Sequence, residues 1–156
     1  MNLSLLENES MRIVGLALAL ALALGLTGCA TTPMAASHAA RVPPDRLLAF
    51  QEKTPEANAT LVVTRDQGFQ GGGCYYGFFI NDILAARFDV AESATFYVKP
   101  DELVLRYGPD PQGRALCALP QIEGTPRETV MQDRQTKYFR LLIHPNGKQD
   151  IQRTDR

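Results

Sequence analysis

The chain has 156 residues, 45% hydrophobic and 21% charged, with 16 Lys and Arg against 17 Asp and Glu and a net charge of −1. This balance argues against nucleic-acid binding, which needs a basic surface to displace phosphate counterions. It also argues against a polybasic membrane patch of the kind that recognises anionic lipids.

The N-terminal segment carries a targeting signal. Met11-Arg12 precedes an apolar run at 13–26, "IVGLALALALALGL", which ends in Thr27-Gly28-Cys29-Ala30. A positive start, a short apolar core and a small-residue end are typical of a secretory signal peptide over residues 1–28. The run is shorter than the roughly 20 apolar residues of a membrane span. "LTGC" resembles the lipobox of bacterial lipoproteins, although an ordinary signal peptide or a membrane anchor with an incidental cysteine is the alternative.

The lipobox resemblance implies lipidation of Cys29 by acyl chains such as palmitate, with the mature chain beginning there. Two or more acyl chains make membrane anchoring stable. Ala30 takes the place of the aspartate that retains lipoproteins at the inner membrane, which implies a periplasm-facing location at the outer membrane. Glu7 and Glu9 do not suit a positive signal region, so Met11 is an alternative start. Removal of residues 1–28 leaves 15 basic and 15 acidic residues, in a chain long enough for one domain.

Residues 29–44 contain the lipidated cysteine and a stretch rich in Ala, Thr, Ser and Pro. They are poor in large apolar side chains, so we expect a flexible tether to a domain at 45–156. The segment Pro43–Lys53 is the best helix candidate, because it begins Pro-Pro-Asp and brings three apolar residues, Leu47, Leu48 and Phe50, close together.

The rest of the chain alternates short β-rich runs with turn signals. Runs predicted as strands cover 59–66, 74–81, 83–90, 94–99, 102–107, 114–120, 129–135 and 137–143. Asn81-Asp82 and Asn146-Gly147 are tight-turn signals between them. Spacing of roughly 8–12 residues predicts an all-β fold, a small antiparallel β-sandwich of about seven strands with a short N-terminal helix. An open barrel is the alternative.

The stretch "GGGCYYGFFIND" at 71–82 admits two interpretations. A phosphate-binding loop needs its glycines between a strand and a helix N-terminus. Here Gly71–Gly73 precede an apolar and aromatic run, which predicts a positive-φ connection into a central, doubly covered strand.

Cys74 and Cys117 form an even pair once Cys29 is assigned to lipid. In an oxidising compartment this predicts a disulfide, with two free thiols as the alternative. The bridge would close a loop of about 43 residues and contribute roughly 4 kcal/mol by the chain-entropy estimate.

The lipobox, the linker, a strand ending in Arg65, the triple glycine and the turn at Asn81-Asp82 together resemble a group of small uncharacterised bacterial lipoproteins. Their domain is similar to prealbumin-like or PEGA-type β-sandwiches. The similarity covers roughly residues 59–107 and implies fold and location only. Pro100-Asp101 stands where those modules often carry Pro-Gly.

Catalytic and metal-binding patterns are weak in this chain. A cysteine nucleophile at Cys74 would need His144 as its base, and a metal site would have to combine Cys74, Cys117 and His144 with Asp82 without ligand spacing. Neighbouring carboxylates at Asp101 and Glu102 point to opposite faces of a strand. We therefore expect no catalytic residue, no metal and no cofactor.

A partner surface is the remaining functional prediction. Tyr and Arg dominate protein contact sites, and the candidates are Arg65, Arg87, Tyr97 and Arg106. The sequence favours a lipid-anchored, non-enzymatic binding module with an envelope protein partner and no nucleic acid. The alternatives are a periplasmic inhibitor that presents the loop at 108–113 to a lysozyme-like or protease target, and a cysteine hydrolase.

Overall fold

The computed structural model describes residues 31–122 and 124–155, so Cys29 and the predicted signal peptide at 1–28 lie outside the described residues. The described chain forms nine strands and two short 3₁₀ turns, at Pro44–Arg46 and Ala115–Ala118. The strands are β1 (Ala40–Arg41), β2 (Ala59–Arg65), β3 (Tyr76–Ile80), β4 (Ile83–Phe88), β5 (Glu92–Val98), β6 (Glu102–Pro109), β7 (Arg127–Val130), β8 (Thr136–Ile143) and β9 (Gln149–Thr154). The all-β class is confirmed, but the prediction of about seven strands is too low because it lacked β1 and β9.

Two sheets pack into a β-sandwich. One has the order β1-β5-β2-β8-β9 and the other β4-β3-β6-β7. Between them lies a core in which Phe78 sits 5.5 Å from Phe96 and 6.2 Å from Phe88, measured between ring centroids. The predicted antiparallel arrangement needs correction, because β2 pairs with β8, and β1 with β5, in parallel. Parallel pairing is possible here because five strands, β3 to β7, separate β2 from β8, which leaves the long crossover that parallel strands need.

The predicted hairpins at Asn81-Asp82 and Asn146-Gly147 are present. Asn81 and Asp82 both have positive φ, 48° and 62°, as a two-residue turn of type I′ between β3 and β4 requires. β3 is buried along its whole length and lies between β4 and β6. The prediction of a central strand is therefore correct.

The predicted N-terminal helix is wrong. After the turn at Pro44–Arg46 the chain is extended at Leu47, which bridges to Ala86 of β4. The N–H of Tyr97 donates to the carbonyl of Phe50, which itself has φ of 63°. Pairing with strand edges thus satisfies backbone hydrogen-bonding groups of this segment, while the side chains of Leu47 and Phe50 still pack on the core.

The segment predicted as a tether docks on the sandwich at several points within residues 31–44. Thr32 bridges to Gln67, Ala40–Arg41 forms β1 beside β5, and Val42 is buried in the core. Small residues can pair through their backbone even though they bury little apolar surface. The folded unit therefore includes residues ahead of the predicted boundary at 45.

The predicted strand around Cys117 is also wrong, because Ala115–Ala118 form a 3₁₀ turn. Ala115 has φ of 51°, and the Cys117 N–H donates to the Arg114 carbonyl at 3.0 Å. This local hydrogen bond replaces strand pairing.

One end of the sandwich, called the loop end from here on, gathers five segments: Thr31–Thr32, 66–75, 89–91, 110–122 and 144–148. The N–H of Thr32 donates to the Gln67 carbonyl at 2.7 Å, and the Thr31 hydroxyl lies 3.3 Å from the N–H of Ile143. The turn at Asn81-Asp82 lies at the opposite end, called the far end. Within residues 31–122 and 124–155, no helix is long and apolar enough to cross a membrane.

Candidate functional site: an arginine–tyrosine face beside the disulfide

The candidate site is built on the outer face of the four-stranded sheet. Along β3, Tyr76, Phe78 and Ile80 belong to the core, so alternation places Gly77 and Phe79 on the other side. A Cβ added at Gly77 would lie 2.8 Å from Cε2 of Phe79. Gly77 thus leaves the space in which the Phe79 ring lies against the sheet.

Arg106 of β6 covers that ring. Its guanidinium carbon is 4.0 Å from the Phe79 centroid, within the range of a cation–π contact. A nitrogen of the same group lies 3.4 Å from Asp82, whose side chain is almost fully exposed. The Arg106 side chain is itself about one-third exposed, so the head group is both held in place and accessible.

Tyr75 forms the second aromatic position, against two further arginines. The guanidinium carbons of Arg46 and Arg87 lie 4.3 Å and 5.2 Å from its ring centroid. Arg46 is buried and donates to both carboxylate oxygens of Glu92 at 2.7 and 2.5 Å. These hydrogen bonds raise the pKa of Arg46 and outweigh the opposing effect of burial. Tyr75, a residue that is 38% exposed, is therefore held between two positive charges.

Arg87 connects this face to the loop end. Its Nε and Nη2 donate to one carboxylate oxygen of Asp110 at 2.8 and 2.6 Å. The other Asp110 oxygen accepts the N–H of Gln112, which closes the turn after β6. Beside this pair lies a cleft of about 430 Å³, lined by Tyr75, Arg87, Asp110, Arg114 and the bridged Cys117 among others.

The disulfide predicted between Cys74 and Cys117 is confirmed, with the two Cα atoms 5.5 Å apart. It joins the loop ahead of β3 to the 3₁₀ turn after β6. Cys74 packs against the core, whereas the turn around Cys117 is largely exposed. The bond therefore fastens an exposed loop to the sandwich beside Tyr75.

Arg65, predicted as a partner-surface residue, is instead in the interior and only 2% exposed. Its guanidinium donates to the carbonyls of Gly71, Cys74 and Phe88 at 2.7 to 2.9 Å and lies 4.6 Å from the Tyr76 centroid. Three carbonyls and a ring satisfy the buried cation, so Arg65 holds the glycine loop in place. The glycine prediction is confirmed by φ of 72° at Gly71, where an added Cβ would lie 2.6 Å from Ile143.

Tyr97 lies on β5 in the other sheet, where its N–H pairs with Phe50 and its ring is 5.9 Å from Lys53 Nζ. Of the four predicted surface residues, Arg87 and Arg106 therefore share one face, and Tyr97 and Arg65 do not. We call this surface, formed by Arg46, Tyr75, Phe79, Arg87 and Arg106, the arginine–tyrosine face.

Three members of the face, Arg46, Tyr75 and Phe79, were not predicted from the sequence. Phe79 could have been assigned from its alternation with the core residues Phe78 and Ile80. Tyr75 could have been assigned from its alternation with the core residue Tyr76. Arg46 carries no such signal, because it reaches Tyr75 from a turn that was predicted as helix.

His144, the candidate base of the cysteine-hydrolase alternative, pairs with Asp150 at 3.2 Å. Partial burial acts to raise the pKa of Asp150, but hydrogen bonds from Gln152 and His144 lower it overall. Cys74 has no free thiol while it is bonded to Cys117. In the part of the chain that the structure describes, no three His, Cys, Asp or Glu side chains group as metal ligands would.

No protein-family model matches the chain, and neither a curated protein nor a solved structure shows significant similarity to it.

Proposed function

We propose that this chain is a lipid-anchored, non-enzymatic binding protein of the bacterial cell envelope. It is attached through Cys29 to the outer membrane, faces the periplasm and binds an envelope protein through the arginine–tyrosine face. The resemblance to small bacterial lipoproteins with PEGA-type sandwiches belongs to the same proposal.

The lipid anchor is supported by the "LTGC" motif directly after the apolar run. The disulfide supports an oxidising compartment, since structural disulfides persist outside the cytosol. These two features are independent, because the cysteine of the motif is not part of the bridge.

The observation that carries the binding role is the arrangement of Tyr75 between Arg46 and Arg87. Tyr and Arg supply most of the energy at protein interfaces when they are held rigidly and can be desolvated. Contacts to Glu92 and Asp110 already order the two guanidinium groups, so association would cost less side-chain entropy. Tyr75 projects from this ordered cluster and remains partly exposed.

Lipidation is tested by growing bacteria that express the chain with an alkyne-tagged palmitate. We expect label on the wild type and none on Cys29→Ser, with the wild-type protein in the outer-membrane fraction. An unlabelled wild-type protein that is released as a soluble chain would overturn the anchor.

Partner binding is tested by placing a photo-crosslinking amino acid at position 75 in cells. The matched control places it at position 97, because Tyr97 is a partly exposed tyrosine on the opposite sheet. We expect a discrete crosslinked protein from position 75 that is lost when Arg106→Ala is added, and none from position 97. Equal crosslinking from both positions, or none from either, would refute this face as the binding site.

The two alternatives predict different outcomes. A cysteine hydrolase requires a reduced Cys74, so activity that appears only after reduction and disappears in His144→Ala would favour it. An inhibitor that uses the loop at 108–113 has little surface to present. Only Pro111 and Gln112 of this loop are exposed, whereas Gly108 and Asp110 are buried.

A further inference from the structure

Four large apolar side chains at the loop end face solvent. Phe69 is 96% exposed, Leu116 79%, Leu119 56% and Ile122 54%. Apolar side chains grouped on an exposed surface mark an interaction site more often than isolated ones do.

Covalent and packing contacts place these four side chains at the same end of the sandwich. The disulfide joins the segment of Phe69 to the turn that carries Leu116 and Leu119. A Cβ built at Gly147 would lie 3.9 Å both from Ile122 Cδ1 and from Gln70 Nε2, so Ile122 and the neighbour of Phe69 flank the same hairpin. The four residues therefore lie around one end of the sandwich.

The described chain enters the sandwich at this same end. Thr32 and Gln67 exchange two backbone hydrogen bonds, at 2.7 and 3.1 Å, and Gln67 lies two residues before Phe69. The Thr31 hydroxyl lies within 3.4 Å of both Asp66 and the Ile143 carbonyl. Cys29 is two residues before Thr31, and two residues of extended chain span at most about 7 Å.

The loop end carries few charges and little negative charge to oppose contact with an anionic lipid surface. Segments 67–75, 111–122 and 144–148 contain no acidic residue, and their basic residues are Arg114, His144 and Lys148. The turn at 89–91 adds one half-buried acidic residue, Asp89. The acidic Asp66 and Asp110 that precede two of these segments are buried and paired with Arg140 and Arg87. Interfacial membrane contacts combine exposed apolar side chains with neighbouring cations, and the loop end has both.

We propose that the loop end is a membrane-docking surface, with Phe69, Leu116, Leu119 and Ile122 seated in the lipid interface beside the acyl chains on Cys29. This inference rests on the proposed lipid anchor. Because only Ala30 separates Cys29 from Thr31, the domain lies directly on the membrane, with the far end directed into the periplasm. The arginine–tyrosine face then stands at the side of the domain, with Tyr75 nearest the lipid.

The absence of tryptophan from the chain allows a site-specific fluorescence test. Full-length lipidated protein carrying Phe69→Trp or Ile122→Trp is purified from bacterial membranes and reconstituted into vesicles of phosphatidylethanolamine and phosphatidylglycerol. The matched control is Ile83→Trp at the far end, because Ile83 and Ile122 are 53% and 54% exposed. Vesicles with brominated acyl chains then report which tryptophan reaches the hydrocarbon.

We expect blue-shifted emission and about a twofold loss of emission in brominated vesicles for Phe69→Trp and Ile122→Trp, as for interfacial side chains. Ile83→Trp should show neither. If protein that floats with the vesicles gives the same emission at all three positions, docking is overturned and the anchor stands. If the protein carries no acyl chain at Cys29 and does not float with the vesicles in a density gradient, both the lipid anchor and the membrane docking are refuted. Circular dichroism and the intact disulfide confirm folding of each variant.

Discussion

Loss of the Cys74–Cys117 bond is expected to lower the free energy of unfolding without changing the fold. The bond spans 43 residues, and the chain-entropy relation converts a loop of that length to about 4 kcal/mol at 25 °C. A domain of this size has a stability of about 5–15 kcal/mol, so the loss is a large part of the total. The cleanest variant is Cys117→Ala, because the turn around Cys117 is largely exposed and Cys74 packs against the core.

The assay is equilibrium urea unfolding of the chain from residue 30, exported with a cleavable signal peptide, followed by circular dichroism. With a urea dependence of about 2 kcal/mol per molar, the midpoint should fall by about 2 M. The double variant Cys74→Ala/Cys117→Ala should lose slightly more, because it also removes the packing of Cys74. A midpoint that falls by less than about 0.5 M would refute the reasoning, since it would mean that the bond constrains the unfolded chain very little.

Two further changes test the interior of the loop end. Gly71→Ala should lower the free energy of unfolding by about 2–5 kcal/mol, because its positive φ is strained for alanine and its Cβ would meet Ile143. Gly73→Ala is the matched control: it has the same sign of φ but open space around the Cβ, so it should lower that free energy by only about 1–2 kcal/mol. Equal urea midpoints for these two variants would show that packing at Gly71 is looser than described. Tyr107→Phe should leave stability unchanged or raise it by up to about 2 kcal/mol, because the Tyr107 hydroxyl is buried without a hydrogen-bond partner. Burial raises the pKa of Tyr107 further above its ordinary value, which already lies well above neutral pH. A loss above about 1 kcal/mol in Tyr107→Phe would reveal a hydrogen bond to that hydroxyl.

The proposed docking and partner surfaces are compatible because they lie on different sides of the domain. Apolar tips at the loop end would contact lipid, while Tyr75 and Arg106 lie along the outer face of the four-stranded sheet. An envelope partner would therefore reach the domain from the side.

The candidate site was predictable only in part. Arg87 and Arg106 alternate with apolar neighbours, so their exposure on one sheet face follows from the two-residue period of a strand. Arg65 differs, because it shares the inward-facing register of β2 with the core residues Leu61 and Val63. The sequence does not show how a buried cation is satisfied there: the carbonyls of Gly71, Cys74 and Phe88 converge on its guanidinium, and this convergence involves residues up to 23 positions away.

Local patterns were sufficient wherever the determinant is short in range. The apolar run at 74–81 made β3 central, Asn81-Asp82 set a turn that tolerates positive φ, and an even pair of cysteines pointed to one bridge. Tertiary contacts decided the features whose partners are distant in sequence. Because of such contacts, β8 lies parallel to β2, and Thr31–Thr32 lie at the loop end. For the same reason the segment 43–53, predicted as a helix, instead pairs its backbone with strand edges. The physical reason is that backbone hydrogen-bonding groups are the same in every residue, so which strand edge they meet depends on how the sheets pack.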